Sequence, residues 1–305
     1  MGSEIKKSDH QLIEKIGNLN PLHRKFLAGS QQQLLTEERD DLLAYIAYCK
    51  EEGLTLDDVA ACYDLLVSDT VKEQIYFRRY GKYRNSTFED VASSVYGNDD
   101  YMKKYMVGLA LTAFLWPSHI AINRFIGESL AKVTDVGCYL EIGPGHGFYM
   151  MRAMRMTKHC SYIGIDISSA SVALTKRILG SGYFGEFSNY SIHQSDFLRY
   201  DTSDKYDVIV MGEVLEHVEE PQRILKKIHD VASDGAHLLL TTCANAPEVD
   251  HIYLYRSLSE VDRQISDAGF VTKDRLVVPY QGKELSECER DGLPINIAYA
   301  LTKEI

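Results

Sequence analysis

Residues 138–150 read CYLEIGPGHGFYM, with Gly143, Pro144, Gly145 and Gly147 crowded behind an apolar run and Glu141 two positions ahead of the first glycine. Glycines at alternate positions give a tight turn with bare main chain, which suits a ligand that must lie against the backbone. A dinucleotide-binding turn favours G-x-G-x-x-G, whereas here the third glycine comes one residue early. Further along, acidic residues follow short apolar runs: Asp166 in YIGIDIS (162–168) and Asp196 in HQSDFL (193–198). YDVIVMGEVLEHVEEP (206–221) adds Glu213 and His217, and DHIYLYRSLSEVDRQISDAGF (250–270) opens with Asp250 and His251. His251 can serve as a base, can orient a polar ligand, or can simply bond loop backbone. Asp250, His251 and Glu213 have metal-ligand chemistry but no recognisable spacing, so no metal is expected.

The elements that must position these groups differ between the two halves. From His10 to about Lys132 apolar residues recur at helical spacing, as in Leu42, Leu43, Tyr45 and Ile46, then Val59, Cys62, Tyr63 and Leu66. Helix starts are expected at Thr36, at Thr55 with Asp58 three on, and at Ser86 with Glu89 three on. After Thr134 short runs rich in Val, Ile and Tyr (136–142, 161–167, 190–195, 206–211, 236–242) alternate with helical patterns at 169–179, 221–232 and 258–268. Such alternation predicts crossover units and a mostly parallel sheet covered on both faces. The last two runs, 271–280 and 295–303, have no helical pattern between them and are expected to pair antiparallel. The expected division is a helical cap at 1–132, which would also serve substrate binding or oligomerisation, and an α/β domain at 133–305.

With 305 residues, 45% hydrophobic and 25% charged, the chain can bury a substantial core. A net charge of -11 argues against a protein that binds by neutralising nucleic-acid phosphates. The cysteines Cys49, Cys62, Cys138, Cys160, Cys243 and Cys288 are scattered, which predicts reduced thiols and a cytoplasmic location. The apolar run Met106 to Trp116 is too short to span a membrane and reads as a buried helix. The first residues lack an apolar signal core, and Met1-Gly2 is followed by Lys6 where a myristoylation signal has Ser or Thr, so no membrane anchor is expected.

The E-x-G-x-G-x-G arrangement resembles the first motif of Rossmann-like (class I) S-adenosylmethionine-dependent methyltransferases of the small-molecule type, and the likeness runs in order through residues 134–305. The resemblance implies a doubly wound, mostly parallel seven-stranded sheet with an antiparallel C-terminal strand. It implies S-adenosyl-L-methionine as cofactor, its methionine and ribose lying over Glu141, Gly143, Gly145 and Gly147. By the same resemblance Asp166, with Ile167 beside it, takes both ribose hydroxyls, Asp196 and Phe197 meet the adenine, and backbone at Met211 and Gly212 meets the methionine end.

The expected reaction is in-line methyl transfer to a hydroxyl, or an amine, of a small organic molecule, with His251 as base or acceptor-orienting group. Glu213 and His217 are candidate acceptor contacts on the rim, and Trp116, His119, Arg124 and Tyr105 are candidates from the helical half. That half carries six tyrosines between Tyr76 and Tyr105 (Tyr76, Tyr80, Tyr83, Tyr96, Tyr101, Tyr105), useful for gripping a ring, and the cationic stretch RRYGKYR (78–84). FLWPSHIAINRF (114–125) could line a lid or a homodimer interface. The competing readings are a noncatalytic adenosyl-ligand scaffold, which binds without turnover, and an NAD-linked oxidoreductase, which ignores adenosylhomocysteine.

Overall fold

The computed structural model describes residues 7–92, 95, 97–134, 136–157 and 161–304. Its first half is helical: α1 Ser8–Leu19, α2 Arg24–Gln33, α3 Thr36–Glu51, α4 Leu56–Tyr80, α5 Phe88–Val91, α6 Asp99–Leu115 and α7 Pro117–Leu130. Helix α4 starts where expected, the Thr55 hydroxyl accepting from Asp58 N while Asp58 accepts from Thr55 N. For α5 the cap lies one residue later than the sequence suggested. Thr87 takes the Asp90 amide, and Asp90 rather than Glu89 returns the bond to the amides of Thr87 and Ser86. The apolar run of α6 is a buried helix that stops at Trp116, and Pro117, which lacks an amide hydrogen, opens α7 at 76° to it. Among the described residues no single helix is long and apolar enough to cross a membrane.

The second half supplies β1 Cys138–Ile142, α8 Phe148–Met156, β2 Ser161–Asp166, α9 Ser169–Gly180, β3 Tyr190–Gln194, β4 Tyr206–Gly212, α10 Pro221–Val231, β5 Ala232–Ala244, α11 Leu258–Asp267, β6 Phe270–Pro279, α12 Leu285–Asp291 and β7 Ile295–Lys303. They form one sheet in the order β3-β2-β1-β4-β5-β7-β6. The first five strands are parallel, and β7 runs antiparallel between β5 and β6. Helix α12 corrects the expectation that nothing helical separates the last two strands. Its seven residues bury only Cys288, too little to leave an apolar period in the sequence. Strand β5 begins four residues earlier than expected, its start carried past the polar Ser233, Asp234 and Gly235 by a register shift against β4.

Alternate residues of the central strands face opposite layers, as the pleat requires. Leu140, Ile142, Ile209, Met211, Leu238 and Leu240 pack with α10 and α11. On the other face Tyr139, Val208, Val210 and Leu239 belong to the same apolar cluster as Leu12, Leu42, Tyr63, Leu111 and Ile126 of the N-terminal helices. The change of grammar near residue 132 therefore marks a change of element type within a continuous core. Arg155 of α8 reinforces the join, its guanidinium donating to both Asp41 oxygens of α3 at 3.0 and 2.9 Å and to the Phe184 carbonyl at 2.7 Å. Cys49, Cys62, Cys138, Cys243 and Cys288 are free, and Cys160 lies outside the described residues.

Candidate active site

Strand order reverses between β1 and β4, and the turn after β1 opens at that point, where ligands of open α/β sheets bind. Gly143, Gly145 and Gly147 all adopt left-handed φ, 67°, 55° and 78°, but for different reasons. A Cβ on Gly143 would lie 2.7 Å from Val214 Cγ2, and one on Gly147 would lie 2.9 Å from Thr175 Cγ2, so packing demands both glycines. At Gly145 the nearest atom would be Met106 Cε at 3.7 Å, so its face is open for a ligand to approach. Thr175 braces the turn by donating to the Gly145 carbonyl at 2.8 Å. Gly147 is the N-cap of α8, so the helix begins at Phe148. The His146 ring accepts from the Phe148 amide at 3.3 Å, and burial pushes its pKa down to about 4.

Asp166 ends β2 beside this turn, accepting from Gly145 N at 3.3 Å and Ser168 N at 2.8 Å. Burial raises its pKa to about 6, against the pull of those two amides. Ile167 next to it is 48% exposed, an apolar side chain left uncovered at the mouth of the cleft. Glu141 is buried beneath and accepts from the Tyr139 hydroxyl at 2.6 Å, and burial pushes its pKa up to about 8, so it is neutral at pH 7. Asp196 caps the short turn Phe197–Arg199 through the Leu198 amide, and Phe197 is buried in the core with the Lys227 ammonium 5.3 Å from its ring. Met211 is fully buried, and Tyr149 lies so close across Gly212 that a Cβ there would be 2.4 Å from the ring. An open bare turn, a carboxylate with unused lone pairs and an uncovered apolar residue fit an adenosyl ligand.

Across the rim from the turn, β4 and β5 deliver a second group of side chains. Glu213 takes a left-handed φ of 52°, and its Oε1 accepts from the Thr241 hydroxyl at 2.6 Å. The following 3-10 turn, Leu215–His217, carries Glu216, whose carboxyl lies close enough to Glu213 to feel its charge. Glu216 is fully buried, and its Oε2 accepts from Thr242 Oγ1 at 2.8 Å, while Oε1 has no hydrogen-bond partner. Burial, and then the Glu213 carboxylate, hold its pKa well above the ordinary range. His217 Nδ1 lies 3.1 Å from the Asp250 carbonyl and 3.5 Å from its carboxylate. His251 Nδ1 lies 2.6 Å from the Ala246 carbonyl, and the two imidazoles meet edge to face at 4.7 Å. Burial, with His217 next in effect, pushes the His251 pKa down to about 3. Glu216, Cys243 and His251 place ligand atoms within 4.8 Å of one another, and so do His217, Asp250 and His251.

The helices roof this region unevenly. His119 of α7 is bonded through Nδ1 to Thr112 Oγ1 at 2.8 Å, and burial lowers its pKa against the opposing field of Glu213, which places it on that side of the cleft. Tyr83 packs against the His251 ring at 5.8 Å, and Glu248, just before Asp250, accepts from Thr70 of α4 at 2.8 Å. Three expected acceptor contacts are committed elsewhere. Trp116 donates its indole N–H to Tyr63, which also bonds His23. Arg124 clamps both oxygens of Glu38 and the Gln33 carbonyl, each at 2.6 Å. Tyr105 is buried and stacked on Tyr101. In the cationic stretch, Arg84 pairs with Glu73 and covers the Tyr76 ring; Tyr96 lies outside the described residues. Sequence reasoning passed over Glu216, Cys243, Thr241, Thr242 and Tyr149; the i, i+3 pair of glutamates followed by histidine in EVLEH was the signal for the first.

A methyltransferase-domain family model matches residues 120–287, more than half of the chain. The chain belongs to that family. This methyltransferase takes S-adenosylmethionine as its methyl donor, as the glycine turn and Asp166 led us to expect. It is 26% identical over 183 residues to a ubiquinone biosynthesis O-methyltransferase of Hahella chejuensis (strain KCTC 2396), a match covering 56% of this chain and 71% of that one. It is also 26% identical over 110 residues to (S)-coclaurine N-methyltransferase of Papaver somniferum, covering 36% of this chain and only 30% of that one. Among solved structures, a Galdieria sulphuraria protein provisionally assigned as a sarcosine dimethylglycine methyltransferase superposes with a TM-score of 0.51 at 12% identity, covering 61% of this chain and 86% of that one. The N-methyltransferase NodS of Bradyrhizobium japonicum WM9, in complex with S-adenosyl-L-homocysteine, gives 0.47 at 17% identity, covering 62% and 91%. These likenesses concern the fold.

Proposed function

We propose that this methyltransferase methylates a hydroxyl group of a small organic molecule that enters between the N-terminal helices and the rim of the sheet. The observation that carries the reading is the cluster of Glu213, Glu216, His217 and His251, set beyond β4 and β5 and across the cleft from the open face of Gly145. When bound, the donor supplies an electrophilic methyl on a cationic sulfur. The chain's own part is to hold the acceptor oxygen about 3 Å away, in line, and to keep water out. With Nδ1 donating to the Ala246 carbonyl, His251 offers an Nε2 lone pair that can accept the acceptor's O–H. Its low basicity makes it an orienting group rather than a store for the proton, since an effective base titrates near the working pH. In the transfer the oxygen–carbon bond forms, the carbon–sulfur pair returns to sulfur, and the hydroxyl proton leaves to a carboxylate or to solvent.

An amine acceptor is favoured by one feature, the acidity of the cluster: among the described residues no Lys or Arg pairs with Glu213, Glu216 or Glu248. Relatives of both kinds, an O- and an N-methyltransferase, accord with either acceptor. Turnover with radiolabelled methyl donor against matched phenols, alcohols and amines decides between them. Transfer to hydroxyls supports the reading and transfer confined to amines replaces it. Tight adenosylhomocysteine binding without transfer to any acceptor would favour the noncatalytic alternative.

A further inference from the structure

We propose that the acceptor is a hydroxyl compound that also carries a positive charge, and that its ammonium group, apart from the oxygen that is methylated, docks on Glu248 between α4 and the loop after β5. The proposal rests on the hydroxyl reading above and adds a second point of attachment to it. Glu248 stands three residues before His251, and its Oε2 accepts from the Thr70 hydroxyl of α4 at 2.8 Å. Asp69, Thr70 and Glu73 are buried on one face of α4, at positions i, i+1 and i+4. The charges of Asp250, Glu73 and Asp69 all reach Glu248, so these four carboxylates form one acidic group. Three of them have partners of their own. Asp69 takes the Tyr101 hydroxyl and the Lys72 ammonium, each at 2.8 Å, Glu73 takes Arg84 at 2.9 and 3.1 Å, and Asp250 faces the His217 ring at 3.5 Å. Among the described residues no Lys, Arg or His pairs with Glu248 and nothing donates to its Oε1.

An observation independent of the carboxylates is the Tyr83 hydroxyl. Tyr83 is 5% exposed, its oxygen has no hydrogen-bond partner, and it lies within reach of the charges of Glu216 and Glu248. A buried hydroxyl in that state is a cost that a ligand's donor removes. Tyr83 and Glu248 are held on a common frame, since Asn85 donates to the Val249 carbonyl at 2.8 Å and Arg256 to the Gly81 carbonyl at 2.9 Å. Tyr101, which feels Asp69, Asp250 and Glu248, adds an aromatic ring to the group. An ammonium brings N–H donors for a carboxylate oxygen and a hydroxyl oxygen that both lack one, and a positive charge for acidic and aromatic surroundings. A neutral hydroxyl compound leaves Glu248 without a counter-charge, and an anionic one is repelled.

The test uses the purified full chain, radiolabelled methyl donor and three phenols of similar shape: tyramine, which is cationic, para-ethylphenol, which is neutral, and para-hydroxyphenylpropionate, which is anionic. The kcat/KM for tyramine should exceed that for the neutral phenol by about tenfold, the ratio one charge-assisted hydrogen bond supplies, with the anion poorest and the tyramine product methylated on oxygen. Glu248→Gln, which keeps an oxygen for Thr70, should bring the ratio of cation to neutral phenol to about one, and Tyr83→Phe should lower it about threefold. Adenosylhomocysteine affinity on the same samples reports that the variants are folded. Equal rates on the three phenols would overturn the proposal and leave the hydroxyl reading standing; N-methylation of tyramine, or a charge preference that survives Glu248→Gln, would overturn it too. Should no phenol be methylated, calorimetry of tyramine with the adenosylhomocysteine-loaded chain decides. Binding that Glu248→Gln abolishes keeps the ammonium site while the hydroxyl reading falls, and no saturable binding overturns the site. Should Glu248→Gln fail to fold, Tyr83→Phe carries the test.

Discussion

Acidifying the solution from about pH 7 to about pH 5 should weaken adenosylhomocysteine binding through one carboxyl group, Asp166. In the free protein burial holds its pKa at about 6, and its two oxygens already take the amides of Gly145 and Ser168. Ribose hydroxyls donate, so they select the ionised carboxylate. About nine-tenths of the molecules carry it at pH 7 and about one-tenth at pH 5, which makes the apparent Kd about tenfold weaker, or about 1.4 kcal/mol. Neighbours do not blur the window: Glu141 titrates at about 8 and His146 at about 4. Asp166→Asn should bind more weakly at pH 7 by about 1.5–3 kcal/mol, the worth of charge-assisted hydrogen bonds, and should lose the pH dependence. Calorimetry in two buffers of different ionisation enthalpy would also register proton release on binding near pH 6. An affinity that is flat between the two pH values, or an Asn variant that binds like the wild type, would refute the ribose assignment.

The same reasoning extends to stability. Glu141 has a folded pKa of about 8 against an ordinary value near 4.3, so its contribution is full below about pH 4 and is lost progressively until pH has risen through about 8; Glu141→Gln should melt like the wild type near pH 4 and clearly above it at pH 7 and pH 9. Gly108→Ala places a Cβ 2.4 Å from the Cys62 main-chain oxygen where α6 crosses α4, and denaturant titration should show a loss of about 1–3 kcal/mol. Gly29→Ala, in α2 with nothing within 4 Å, should instead gain up to about 1 kcal/mol from helix propensity. Arg155→Ala leaves the buried Asp41 carboxylate without its partner and should cost about 2–3 kcal/mol by the same measurement.

The glycine turn and Asp166 beside it were legible because their requirements are local. A ligand lying on bare main chain needs glycines in a row, and a carboxylate at the end of the next strand follows at a set distance along the chain. The acceptor side was not, because its partners meet only in the fold: Glu216 finds Thr242 across 26 residues and His217 finds the Asp250 carbonyl across 33. Arg124 and Trp116 had the right chemistry for an acceptor, yet their bonds run to Glu38 and Tyr63, 86 and 53 residues away, which no spacing rule reports. Helix α12 escaped because one buried residue makes no periodicity.

The apolar cluster that runs unbroken from the N-terminal helices onto β1 and β4 restricts how the cleft is reached. Swinging those helices away would wet side chains worth about 25 cal/mol for each Å² uncovered, so the roof stays in place. Met106, unbranched and nearest to the open face of Gly145, is the piece that can step aside. The room over the glycine turn is therefore set by the rotamer of one thioether.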